Sequence, residues 1–129
     1  MNRQQRVPAG GEAGVATPLV VLTVMGLVTL AAVGVLALGY SAAARSVRAA
    51  ADVVAVSGAQ AYARGSDACA EARRIAGRNE VALGTCEVTG DLIDFVVEVR
   101  VTRPVGWRLP GLPDRVAATA YAGNVTGIP

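Results

Sequence analysis

The chain has 129 residues, with no histidine, no lysine, two cysteines, one tryptophan and one phenylalanine. Without imidazole, the usual activation of a Ser or Cys nucleophile and the commonest general acid–base pair are out of reach. With Cys69 and Cys86 as the only thiols, a tetrahedral N/S zinc site lacks ligands. The densest carboxylate pairing is Asp91 with Asp94, and no Gly-rich phosphate loop joins a strand to a helix. The expectation is therefore a protein that is not an enzyme, with no cofactor, no metal and no small-molecule substrate. The positive charge rests on twelve arginines set against ten carboxylates, a net charge of +2. These charges are scattered without a basic stripe, which argues against a nucleic-acid partner.

Between Glu12 and Arg45 the chain carries no charge, and within that stretch runs Val15 to Tyr40, VATPLVVLTVMGLVTLAAVGVLALGY. As a helix rising about 1.5 Å per residue it would reach roughly 39 Å, more than the roughly 30 Å of a bilayer's hydrocarbon core. Apolar on every face, it reads as one membrane-spanning helix over residues 15–40, with the lipid bilayer as its first partner. Residues 1–14 are then a polar stub. A secretory signal peptide is the rival reading: Arg3 and Arg6 supply a positive n-region and Ala42-Ala43-Ala44 a small-residue cleavage site, although the apolar run exceeds a usual h-region. Pro18 is expected in the first helical turn, where a missing N–H costs little. Gly26, Gly34 and Gly39 are expected to leave shallow grooves for a neighbouring helix.

Past the span the helical pattern continues to about Ala63. Val47, Ala51, Val54, Gly58 and Ala61 recur at steps of four and three, while Arg45, Arg48 and Asp52 gather elsewhere. This predicts a stalk, with Arg48 and Asp52 open to pairing at i, i+4 or to a contact with another subunit. Gly65-Ser66-Asp67 closes the stalk, with Ser66 able to cap a second helix from Asp67 to about Asn79. Its apolar face is Ala68, Ala72, Ile75 and Ala76. Beyond Gly84 the period becomes two. Thr85 to Thr89 reads as a strand, Gly90-Asp91 as a two-residue turn, and Ile93 to Thr102 as a half-buried strand with Ile93, Phe95, Val97, Val99 and Val101 on its apolar face. A third strand is expected from Arg115 to Ala122. The intervening segment Arg103 to Pro113 holds three prolines, Trp107, Leu109 and Leu112; it is expected to pack over the small sheet, whose core needs the area, and the alternative is that it presents a surface to a partner. The fold class is α+β: one N-terminal transmembrane helix extended as a stalk, a short second helix and a three-stranded antiparallel sheet, a pilin-like plan, with residues 41–129 as its single domain.

In an oxidising compartment Cys69 and Cys86 can form a disulfide closing a loop of about 18 residues, which adds on the order of 3 kcal/mol. Two buried free thiols are the alternative. Arginines flank both ends of the span, so the positive-inside rule does not choose an orientation. A disulfide-capable domain belongs outside, which places the N-terminus in the cytoplasm and residues 41–129 beyond the cytoplasmic membrane.

Glu12-Ala13-Gly14-Val15-Ala16-Thr17 before the span and Arg48-Ala49-Ala50-Ala51-Asp52 after it resemble the N-terminal region of TadE/TadG-like proteins of tight-adherence (Flp) pilus systems. The likeness covers residues 12 to about 62. The following CAEARRIAGRN with Cys69, and Cys86 beyond it, is similar to a smaller TadE-like subgroup found near secretion genes in high-GC bacteria. Membership implies a pilin- or pseudopilin-like component of a pilus-assembly or secretion apparatus. It would work through helix-mediated assembly with other pilin-like subunits or platform proteins. Counting back from Glu12 puts Val7 where a prepilin peptidase needs Gly, which counts against such processing. Glu80 stands where the subgroup commonly carries Gly. The candidate assembly contacts are Glu12, Gly26, Gly34, Gly39, Arg48 and Asp52. The functions that compete with this one are a membrane-anchored accessory scaffold and a small secreted binding protein released by signal cleavage.

Overall fold

The computed structural model describes residues 13–106 and 108–126, with side chains from Thr17 onward. The elements run α1 (Ala13–Ala63), α2 (Ala68–Arg78), β1 (Ala82–Gly90), β2 (Phe95–Pro104) and β3 (Arg115–Asn124). The chain divides between Leu38 and Gly39 into two units, so α1 contributes to both. In the first unit it carries the apolar run. Because α1 begins at Ala13, Pro18 falls beyond the first turn, where it withholds the amide that the Gly14 carbonyl would otherwise accept.

The second unit holds residues 39–129. Here α1 buries the predicted stripe Val47, Ala51, Val54, Gly58 and Ala61, widened by Ala50, Ala55 and Ala59. It ends in a Schellman motif. Ser66 N–H donates to the Ala61 carbonyl at 2.9 Å and Gly65 N–H to that of Tyr62 at 2.8 Å, with Gly65 at φ 76°. The cap of α2 is Asp67 and not the expected Ser66: its Oδ1 accepts from Cys69 N–H at 2.9 Å and Ala70 N–H at 3.0 Å. A carboxylate at a helix N-terminus also gains from the macrodipole, which a hydroxyl cannot match. A second Schellman motif ends α2, with Val81 N–H on the Ala76 carbonyl at 3.1 Å and Glu80 N–H on that of Gly77 at 3.3 Å. There the left-handed residue is Glu80, at φ 56°.

The sheet is antiparallel in the order β1-β2-β3. Along β2, Phe95, Val97, Val99 and Val101 are buried, and their alternates are not. The register of β1 shifts between Leu83 and Thr85, a bulge at Gly84. Leu83 and Cys86 lie three residues apart and would face opposite ways in a regular strand; the extra residue brings both against the core.

The β1–β2 connection differs from the expected two-residue turn. Gly90 pairs with Phe95, leaving Asp91 to Asp94 as the loop. Asp91 Oδ1 accepts from Ile93 N–H and Asp94 N–H, both at 2.9 Å, and Asp91 N–H donates to the Asp94 carbonyl at 2.9 Å. That side-chain turn is available only to Asx residues, and it takes Ile93 out of the strand and leaves it 65% exposed.

The core is built almost wholly from Ala and Val. The stripe of α1 and Ala68, Ala72 and Ala76 of α2 meet one face of the sheet, joined by Val81, Val116 and Ala120. Side chains this small let backbones approach closely. A Cβ placed on Gly58 of α1 would lie 3.2 Å from the Ala68 carbonyl oxygen and 3.4 Å from Val97 Cγ1. The Tyr62 and Phe95 rings, 4.7 Å between centroids, close one end of this core.

Candidate functional site

From Thr17 to Leu38 every side chain of α1 is exposed, including Leu19, Leu22, Leu30 and Leu38. This is the one helix among the described residues long and apolar enough to cross a membrane. Its hydroxyls are satisfied within the helix: Thr23 Oγ1 donates to the Leu19 carbonyl at 2.9 Å and Thr29 Oγ1 to that of Met25 at 2.8 Å. A threonine bonded to its own backbone is compatible with hydrocarbon and does not need a partner helix.

The glycines predicted as assembly contacts do not share one stripe. At about 100° per residue, Gly34 lies about 80° around the helix from Gly26, and Gly39 about 140° further on. Gly26 and Gly34 have open space where a Cβ would sit, and Gly39 is half-buried. Glu12, the other predicted contact at this end, lies outside the described residues. Arg48 and Asp52 are both exposed, yet they form no ion pair; the ion pair present among the described residues is Glu71 with Arg74, at 2.5 Å. Arg before Asp is the weaker order along a helix, and Arg48 instead lines a groove with Ala44 and with Ala117, Ala118 and Thr119 of β3.

Cys69 and Cys86 form a disulfide with a Cα–Cα separation of 5.7 Å. It joins the first turn of α2 to the middle of β1. The opposite end of α2 is held by a residue the sequence did not single out. Arg103, at the end of β2, donates from Nη2 to the Asn79 carbonyl at 2.5 Å and from Nε to the Glu80 carbonyl at 3.2 Å. Its Nη1 donates to Ser46 Oγ of α1 at 2.8 Å. A guanidinium suits the negative end of a helix, and one side chain thereby ties α1, α2 and β2 together. No local pattern marks it; the chain around Arg103 reads only as the start of a loop.

That loop departs from expectation. Val105 packs against the core, and its N–H donates to the Asp114 carbonyl at 2.9 Å, closing the loop at its base. Leu109 and Leu112, however, stay 39% and 56% exposed. They flank Pro110-Gly111, with Leu112 N–H on the Leu109 carbonyl at 3.2 Å and Gly111 at φ 86°, a type II turn. The turn presents both leucines outward. Trp107 lies outside the described residues.

Electrostatic perturbations are confined to the surface. The hydrogen bond from Arg74 holds Glu71 below the ordinary carboxylate value, and Glu71 raises Arg74 in return. The N–H groups of Asp94 and Ile93 hold Asp91 low. Among the described residues no group of three or more His, Cys, Asp or Glu converges on a metal site. Among the described residues, an apolar shaft and the two ends of the small sheet are exposed.

No family model, curated protein or solved structure matches this chain.

Proposed function

We propose that this chain is a single-pass, membrane-anchored, pilin-like subunit of a tight-adherence type pilus-assembly or secretion apparatus, acting by assembly and not by catalysis. The observation that carries this reading is α1 itself. One helix bears an all-round apolar run and then, from Ala43 onward, supplies the buried stripe of a small α+β domain. One helix that carries the apolar run and also contributes to the core of the domain supports a subunit assembled through helix contacts. The disulfide supports placing residues 41–129 outside the cytoplasmic membrane, with the N-terminus inside. The resemblance of residues 12–62 to TadE/TadG-like proteins supports the apparatus.

The experiment is site-directed photocrosslinking in the native membrane, with the probe at Gly26, Gly34 or Leu30 of the shaft and at Asp52 of the stalk. Adducts to a second copy or to pilus or secretion platform proteins, specific to one side of the helix, are expected. Adducts to lipid alone at every position would sink the assembly reading. A reporter fused after Pro129 should be active only outside the cytoplasmic membrane, and cytoplasmic activity would reverse the orientation.

A further inference from the structure

The end of the sheet that carries the β2–β3 loop stands beside the beginning of the stalk. A cleft of about 130 Å³ is lined by Ala43 and Val47 of α1 together with Arg103, Pro104, Val105, Gly106 and Val116. The apolar run ends at Tyr40, so Ala43 lies about 4.5 Å further along the helix. The base of the loop is thus within one helical turn of the level at which the apolar run stops. From there the loop leaves the sheet at the end opposite Phe95 and Tyr62.

Arginines outnumber carboxylates at this end, where Glu80 and Asp114 are the acidic side chains. Arg45 and Arg48 of the stalk, Arg108 of the loop and Arg115 at the start of β3 are exposed, and none has an ion-pair partner among the described residues. Asp114 is the lone carboxylate of the loop. The opposite end of the sheet carries Asp91 and Asp94 in its hairpin, and β1 and β2 bear the cross-strand pair Glu87 and Glu98. Between Arg108 and Arg115 the type II turn displays Leu109 and Leu112, held by Pro110, Gly111 and the Val105–Asp114 hydrogen bond. Two exposed leucines rimmed by unpaired arginines match the layered chemistry of a bilayer surface, phosphate outside and hydrocarbon within.

We infer that the Arg108–Arg115 turn, with Arg45 and Arg48, is a docking surface for the anionic phospholipid headgroups of the bilayer in which α1 is anchored, with Leu109 and Leu112 entering the interface. This rests on the reading of residues 15–40 as a membrane span. Docking at a second point, in addition to the helix, restricts the face that the domain offers to a neighbour.

The chain's single tryptophan, Trp107, precedes Arg108 in sequence and serves as the reporter. The full chain is reconstituted into vesicles of phosphatidylcholine, with and without phosphatidylglycerol, carrying lipids brominated near the headgroup end of the acyl chain. Tryptophan emission should fall by about half in the vesicles containing phosphatidylglycerol, and much less in phosphatidylcholine alone. The paired reversal Arg108→Glu and Arg115→Glu, at exposed positions, should abolish the difference while the thermal unfolding of the domain and its disulfide are retained. Leu109→Ser with Leu112→Ser should reduce quenching in both lipids. Unquenched tryptophan in chain that resists alkaline extraction overturns the docking surface and leaves the span standing. Quenching that ignores both headgroup charge and the arginine reversal overturns the recognition of anionic lipid. Release of the chain by alkaline extraction overturns the span and this inference with it.

Discussion

Arg103 reaches Ser46 across a sequence separation of 57, its Nη1 donating to the serine Oγ at 2.8 Å while the same guanidinium holds the Asn79 and Glu80 carbonyls just past the end of α2. Hydrogen bonds to a charged group contribute about 1.5–3 kcal/mol where partly buried, and this side chain is half-buried, so Arg103→Ala should destabilise the domain by about 1–3 kcal/mol. Arg103→Lys should recover less than half of that, because an ammonium cannot span three acceptors with fixed geometry. Ser46→Ala should cost about 0.5–1 kcal/mol. Denaturant unfolding of the full chain in detergent micelles measures all three, and equal stability of the Lys variant and the parent would refute the fork.

Glu80 occupies a left-handed position at φ 56° in the Schellman motif that ends α2. A side chain there costs on the order of 1 kcal/mol, part of which Gly gives back through the greater freedom of the unfolded chain. Glu80→Gly should therefore stabilise by about 0.5 kcal/mol, whereas Glu80→Val should destabilise by about 1 kcal/mol or more. The test is the shift in unfolding midpoint, and a loss of stability on Glu80→Gly would mean that the side chain makes a compensating contact.

Several of these features were legible in the residues alone. The stripe Val47, Ala51, Val54, Gly58 and Ala61 could be read because a helix that buries one face must repeat at three and four, and the same logic gave Phe95, Val97, Val99 and Val101 by alternation. What escaped notice depends on partners distant in sequence. The bulge at Gly84 exists because Leu83 and Cys86 both belong on the core, which only the pairing with Val101 and Val99 reveals. Ile93 reads as strand until the Asp91 carboxylate claims the amides of Ile93 and Asp94. Leu109 and Leu112 look like core by composition, yet the Pro110-Gly111 turn holds them outward. Arg103 carries no local signal, since its acceptors come from α1 and from the turn that ends α2, both formed elsewhere in the chain.

Acid should weaken the domain through Glu71 and Asp91. Both have folded-state values lowered from 4.5 and 3.8 respectively. Their stabilisation is present above those ordinary values and is lost as pH falls through the lowered ones, because the unfolded chain then binds protons more readily. The expected result is an unfolding midpoint flat from neutral pH to about pH 5 and falling below it. Glu71→Gln with Asp91→Asn should start lower and fall less steeply. An acid limb of unchanged slope in that double variant would assign the pH dependence to other carboxylates. NMR titration of the two side chains checks the direction independently.

The bridge between Cys69 and Cys86 pins the first turn of α2 to β1. On the α2 side the core beneath it is three alanines, Ala68, Ala72 and Ala76, with Ile75 half-buried at the margin. Alanines bury little area, so α2 gains modestly from packing, and it is held chiefly at its ends, by Arg103 at one and the disulfide at the other. Closing a loop of this length removes enough unfolded-chain entropy to contribute about 3 kcal/mol. Cys69→Ser with Cys86→Ser should accordingly lower stability by about 2–4 kcal/mol, and amide exchange should show α2 opening before the β2–β3 pair, whose hydrogen bonds the bridge does not touch. Combining it with Arg103→Ala should cost more than the sum of the two alone if both fastenings restrain the same helix. Alkylation before and after reduction, read by mass, establishes the oxidation state in the native envelope. Labelling of both thiols without reduction would remove the bridge, and with it the main physical support for placing this domain outside the cytoplasmic membrane.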